Sequence, residues 1–282
     1  MFVIHDFGLE VRVRQGLFFP AFDGLADPTL IVELAVLAES VGWDGIFLWD
    51  HMLYDGGVTK ILDPYVSLAA VASATSTIQL GPMVTPLIRR RPQVVARQAV
   101  TLDLLSHGRL ILGLGIGDDG DVGELSKFGE ATNAKERGAM LSEGLEVLTG
   151  LLSGEPVHHV GHHYTANDVT FLPTAARPGG IPIWLAARWP NKLPIRRAAT
   201  QNGVFVISMD GPSDVATLRG LVTSDGADLA TFDIVVSGFM GDDPSPWAAA
   251  GVTWFLNWIG PYHLNFDEVR AMIADGPRTI NA

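Results

Sequence analysis

Residues 78–120 read IQLGPMVTPLIRRRPQVVARQAVTLDLLSHGRLILGLGIGDDG, a run that alternates strand, loop, helix, strand and loop. Residues 78–84 are apolar and are closed by Thr85-Pro86, and proline cannot continue inside a central strand. Arg89, Arg90 and Arg91 precede Pro92, which suits a first helical position because its missing N–H would be unpaired there anyway. Val95, Ala99 and Leu102 share one helical face. Ser106-His107-Gly108 breaks the helix, and residues 109–114 form a second apolar strand. That strand ends on Gly113, Gly115 and Gly117, which together bare one face of the backbone, as a flat ligand approaching closely would need. The literal dinucleotide fingerprint Gly115-x-Gly117-x-x-Gly120 is discounted. Asp118 and Asp119 stand where a pyrophosphate would lie, and no helix opens at the last glycine.

The same rhythm extends in both directions. A first strand is expected over 13–19. Asp27-Pro28 then reads as an N-cap and first helical residue, and Leu30, Ile31, Leu34, Leu37, Ala38 and Val41 give one apolar helical face that Gly42 ends. A second strand over 45–49 finishes at Asp50-His51, and Asp63-Pro64 opens a helix over 66–74. Beyond the opening stretch, 133–152 is a long helix with Leu141, Leu145, Leu148 and Leu152 in phase. Residues 154–178 break the pattern and read as a hairpin insertion turning at Gly161. Strands follow at 181–187, 203–208, 231–237 and 251–256, with helices at 192–201, 213–222, 246–250 and 266–273. Eight short apolar strands alternating with helices describe a parallel sheet wrapped by helices. Eight of each is the count that closes a barrel, although an open doubly wound sheet needs the same alternation. One domain is expected over 1–282.

Composition bounds the function. The 282 residues, 48% of them hydrophobic, supply a large core. There is no cysteine, which excludes disulfides, thiolate metal sites and a cysteine nucleophile. A net charge of −12 argues against nucleic acid as a partner. No apolar run approaches the length of about 20 residues that a membrane span needs, and no signal-peptide pattern is read at the start. A cytoplasmic protein acting on a small-molecule substrate is expected, with no membrane partner and with room for a homodimer.

Several pieces in order resemble the bacterial luciferase-like flavin and deazaflavin oxidoreductases. They are Trp49-Asp50-His51, the segment from Leu80 through Pro86, Arg90-Arg91-Pro92, and Leu102 to Arg109 running into Gly113-Leu114-Gly115-Ile116-Gly117. The likeness continues through Pro182-Ile183-Trp184 and Arg197-Ala198-Ala199 to Gly251-Val252-Thr253-Trp254. It implies a single (β/α)8 TIM barrel with an insertion between strands 4 and 5, whose site lies at the C-terminal ends of the strands. It also implies an oxidoreductase using reduced FMN or coenzyme F420, for hydride transfer or monooxygenation. A flavin-binding barrel without catalysis is the alternative.

His51 is the first catalytic candidate, since imidazole titrates near neutral pH; its other reading is a hydrogen-bonded loop histidine. Asp50 either holds that loop or reaches the ring. The resemblance places Met83, Val84, Thr85, Gly115, Ile116 and Gly117 against the ring, with a cis peptide expected at Met83–Val84. Asp118 stands where the sugar-oxidising branch has a glutamate acid, or else makes an Asx turn. Ala187, Arg188 and Trp189, ahead of a helix with Arg196 and Arg197, are the candidate phosphate site. Arg89–Arg91 are read as solvated or, with Lys60, as a groove for an acidic cofactor tail. No metal is assigned to His158, His159, His162 and His163. The loop 119–132 and the His-rich hairpin are expected to cover the substrate.

Overall fold

The computed structural model describes residues 12–280. The outermost residues of the 1–282 expectation, 1–11 and 281–282, lie outside the described residues. One nine-stranded, all-parallel sheet is built from β1 (Arg14–Phe19), β2 (Gly45–Leu48), β3 (Gln79–Pro82), β4 (Thr85–Pro86), β5 (Leu112–Gly115), β8 (Ile183–Arg188), β9 (Gly203–Ile207), β10 (Asp233–Phe239) and β11 (Trp254–Trp258). Between β5 and β8 stands the antiparallel hairpin of β6 (Val157–Val160) and β7 (Thr165–Val169), the expected insertion. The helices are α1 (Pro28–Val41), α2 (Pro64–Ala74), α3 (Pro92–Leu105), α4 (Ala134–Ser153), α5 (Lys192–Ala198), α6 (Val215–Ser224), α7 (Ser245–Ala250) and α8 (Phe266–Ala274).

The sheet order is β3-β2-β1-β11-β10-β9-β8-β5-β4. β3 and β4 are two halves of one barrel strand, so the two ends of that order meet. β3 lies along β2 while β4 lies along β5. Closure on the β3 side is carried by Leu80, whose N–H donates to the Arg109 carbonyl at 3.1 Å and whose carbonyl accepts from Ile111 at 2.9 Å. The eight-position barrel is therefore closed, and the open doubly wound sheet is excluded. Between the two halves, the Met83–Val84 peptide bond is cis, as the resemblance implies.

The local signals work as read. Asp27 accepts from the Thr29 N–H at 2.8 Å, Asp63 from Val66 at 3.0 Å, and each is followed by proline in the first turn. Gly42 closes α1 in the left-handed region at φ 94°. The lumen is filled by Phe47, Met83, Ile111, Trp184, Phe205, Val235, Trp254 and Leu256, and a separate shell packs strands against helices. Large lumen rings need small neighbours: a Cβ on Gly45 would sit 2.7 Å from the Phe47 ring.

Three expectations about the elements are corrected. The seventh and eighth strands start and end about two residues later than read, at Phe239 and Trp258. The bare face at Gly113, Gly115 and Gly117 is not one surface. A Cβ on Gly113 would meet the Met83 sulfur at 2.6 Å, so that glycine serves lumen packing, and Gly117 takes φ 68° in a turn against Pro86. The His-rich hairpin does not line the cavity at the barrel mouth. It is fastened to α4, where Glu143 accepts from the N–H groups of His163 and Tyr164 and contacts His159. No helix among the described residues is long and apolar enough to cross a membrane.

Candidate active site

A cavity of about 980 Å³ opens at the C-terminal ends of the barrel strands. Its wall divides by topology. On the side of β10, β11, β1 and β2 it is aromatic: Phe18, Trp49, Tyr54, Phe239 and Trp258. On the side of β5 and β8 it holds Gly115, Ile116, Gly117, Ala187, Arg188 and Arg197, joined by Arg137 from α4. Met83 and Val84 reach it from the break between β3 and β4.

His51 stands at the lip, just past the end of β2. Its Nδ1 lies 3.0 Å from Oε2 of Glu124, a carboxylate only 3% exposed. The other oxygen, Oε1, accepts from the Met52 N–H at 2.5 Å and from Arg89 Nη1 at 2.6 Å. Burial would raise the Glu124 pKa, but the hydrogen bond and charge of His51, the Met52 N–H and Arg89 outweigh it, and the net shift is downward. An ionised Glu124 then favours the tautomer with its proton on Nδ1 when His51 is neutral, leaving Nε2 as the free acceptor.

Asp50 is buried, and both of its carboxylate oxygens are taken. Arg89 Nη2 donates to Oδ1 at 2.5 Å, and Arg90 Nε and the Thr85 hydroxyl donate to Oδ2 at 3.1 and 2.8 Å. Asp50 lines the cavity, but its carboxylate is engaged in holding the loop. Thr85 is corrected with it: fully buried, bonded to Asp50 and to the Tyr65 hydroxyl at 3.0 Å, it presents nothing to the cavity. Arg89 and Arg90 are neither solvated nor a groove for an acidic tail. Arg89 is spent on Asp50 and Glu124, while Arg90 bridges Asp50 and Asp63 over the face of Tyr65. Only Arg91 of the three is exposed.

Of the candidate phosphate residues, Ala187 and Arg188 line the cavity and Trp189 does not. The Trp189 N–H is committed to the Ile207 carbonyl at 2.9 Å, and its ring packs against the outer core. Arg188 is exposed and donates to the Ser208 hydroxyl at 3.1 Å. Asp118 lines the cavity as an exposed side chain. Its neighbour Asp119 pins the following loop instead: its Oδ1 accepts from the Leu125 and Ser126 N–H groups, six and seven residues on, at 2.7 and 2.8 Å. Those bonds, Ser126 first, hold the Asp119 pKa down against burial.

Sequence reasoning missed Glu124, Arg137 and the aromatic wall. Glu124 lies in a loop with no periodicity, and only the fold carries it to His51. Arg137 is 6% exposed, bonds the Thr132 carbonyl through Nη1, and has a buried Nε without a partner. Arg197 donates through Nε to the Ser142 hydroxyl at 2.9 Å, and burial lowers its pKa. Neither guanidinium forms a salt bridge among the described residues, so both are available to an anion. Phe239 and Trp258 escaped because the last two strands were ended early. Among the described residues no group of three or more His, Cys, Asp or Glu side chains is placed to hold a metal.

The profile of the luciferase-like monooxygenase family matches residues 12–271. A protein of Beutenbergia cavernae named F420-dependent glucose-6-phosphate dehydrogenase is 33% identical over 242 residues, 82% of this chain and 69% of its own length. The protein of that name from Amycolatopsis mediterranei is 34% identical over 168 residues, 58% of this chain and 49% of its own. The chain thus spans about half the length of several of the curated relatives it matches. The crystal structure of the monooxygenase RslO1 from Streptomyces bottropensis superposes with a TM-score of 0.76 at 20% identity, covering 93% of this chain and 96% of that one, and shares the fold. With a match that runs through all eight barrel strands, this chain belongs to the luciferase-like monooxygenase family.

Proposed function

We propose that this protein is an oxidoreductase that binds reduced FMN or the deazaflavin coenzyme F420 in the barrel-mouth cavity and acts on a small organic substrate beside it. The observation that carries the reading is the His51–Glu124 pair at the lip of that cavity. A binding module without catalysis has no use for a histidine oriented by a buried carboxylate.

The residues present fit such a cofactor. A Cβ on Gly115 would lie 3.4 Å from Val84 and 3.5 Å from Ala186, so glycine there keeps a flat floor on which a planar ring can rest. Arg188, Arg197 and Arg137 suit the ribityl phosphate that both cofactors carry. The name of the curated relatives supports the deazaflavin, and the family description supports the flavin. When bound, the reduced cofactor supplies hydride equivalents or an oxygen-reactive ring. The chain's own part is to seat it and to exclude water with the aromatic wall. His51 exchanges a proton through Nε2 while Glu124 stabilises the imidazolium.

Titration of the purified protein with FMN and with F420, followed by absorbance and fluorescence, tests this. Saturable one-to-one uptake of either is expected, with none of NAD(P), since no helix follows Gly120. Failure of both to bind removes the reading.

A further inference from the structure

We propose that the substrate is a neutral, ring-bearing organic molecule held by the aromatic wall, and that sugar phosphates and other anions are excluded. This rests on the cofactor reading above and adds to it the identity of the remaining half of the cavity.

The argument is one of charge placement. The cations lining the cavity among the described residues are Arg137, Arg188 and Arg197, and all three lie on or after β5 and β8. The facing half, on β10, β11, β1 and β2, carries no lysine or arginine among the lining residues described. Arg89 and Arg90, which reach the cavity-lining Asp50 and Glu124, are locked to them and to Asp63. A cofactor phosphate at the arginine end leaves a second anion nothing to pair with. The mouth also repels it: Asp55, Asp118 and Asp121 line the opening, on a protein of net charge −12.

What that half does offer is ring surface. Trp49 and Trp258 are parallel to within 6° with centroids 6.5 Å apart, and Phe18 and Phe239 pack on them at 5.4 and 4.8 Å. Tyr54 stands edge-on to His51 at 5.0 Å, which brings the proton-exchanging imidazole to the border of the apolar space. Phe239, which lines the cavity, is 63% exposed, so the rim presents apolar area that a ligand would cover. Ser237 lines the cavity beside these rings as a polar group to orient a carbonyl or hydroxyl.

The test is calorimetric titration of the full chain, loaded with whichever of FMN or F420 it takes up, using acetophenone and glucose 6-phosphate as probes. Acetophenone is expected to bind and glucose 6-phosphate not. Trp258→Ala should weaken acetophenone about tenfold, as loss of one aromatic contact does, and leave cofactor affinity unchanged. Phe239→Ala, at an exposed position with little part in folding, should weaken it in the same direction. The inference is overturned by glucose 6-phosphate that binds or competes with acetophenone, by an acetophenone affinity indifferent to both substitutions, or by no acetophenone binding at all. The two readings fail separately. If neither cofactor binds, the same titrations on the cofactor-free chain decide this one, and acetophenone held through Trp258 keeps the aromatic site while removing the oxidoreductase.

Discussion

At the residue scale, the function turns on which side chains remain free after the fold has used the rest. Asp50, Thr85, Arg89 and Arg90 sit at strand ends as a site residue should, yet each is consumed by its neighbours. Among the described residues His51 keeps one ring nitrogen without a hydrogen-bond partner, and Glu124 orients the other. His51→Asn is therefore expected to lower turnover about a hundredfold or more, as loss of a general acid or base does, while cofactor affinity holds. Its pH–rate profile should lose one limb; an unchanged profile would return His51 to a packing role. Glu124→Gln keeps the volume but withdraws the charge facing Arg89, a cost of about 1.5–3 kcal/mol for a charged hydrogen bond, read from the urea midpoint. At the opposite end, Arg197→Ala should weaken FMN by a similar amount and riboflavin, which has no phosphate, hardly at all. Equal losses for both would point to distortion of α5.

At the scale of elements, the most specific piece of the sequence proves to be architectural. His107 at φ 55° and Gly108 at φ 81° turn the chain sharply out of α3 and aim Arg109 beneath α2. There its guanidinium donates to the carbonyls of Ala72, Thr75 and Ile78 at 2.8 to 2.9 Å and to the Thr75 hydroxyl at 2.8 Å, while Nε takes the Ser106 carbonyl. One side chain so ties the end of α2, the entry to β3 and the end of α3 together. Burial pulls its pKa down, with the Glu39 carboxylate acting in the other direction. Arg109→Met fills the space but orphans those buried carbonyls, and should cost about 3 kcal/mol or more. Cofactor binding per folded molecule should be unaffected, because Arg109 lies at the other end of the barrel. A selective loss of cofactor binding in stable protein would contradict that placement.

At the scale of the whole molecule, carboxylates pin the loops between elements. Glu39 accepts from the N–H groups of Ser76, Thr77 and Ile78, and Glu143 from those of His163 and Tyr164. For both, as for Glu124, burial pushes the pKa up and the hydrogen bonds more than reverse it. A folded pKa below the ordinary value means stability that is present above the unfolded pKa and lost as pH falls through the folded one. Asp233 works in the opposite sense. Burial raises it despite Arg14, Thr253 and Trp184, so its contribution is lost as pH rises. Three lowered glutamates against one raised aspartate predict a melting temperature that drops steeply below pH 4.5, the ordinary glutamate value. A flat profile between pH 6 and 3 would mean these loops add nothing to cooperative unfolding.

Local chemistry settled early which elements form and where they begin. Asp27-Pro28 and Asp63-Pro64 each start a helix by side-chain capping and the fixed proline φ, and Pro92 starts α3 by its φ alone, all acting within a few residues. Strand–helix alternation, with Gly161 turning the hairpin, placed the insertion between barrel strands 4 and 5 for the same reason, and His51, Val84, Gly115 and Arg188 followed as residues at strand ends. What lay beyond reach was every relation between distant segments. Barrel closure depends on Leu80 pairing across to Arg109 and Ile111. The pairing of His51 with Glu124 spans 73 positions, and the separation of the arginine end from the aromatic end depends on β11 lying beside β1. Charge and polarity mark a side chain as reactive, but whether it is spent on a neighbour or left facing a ligand is a matter of proximity, and only the closed barrel brings those neighbours together.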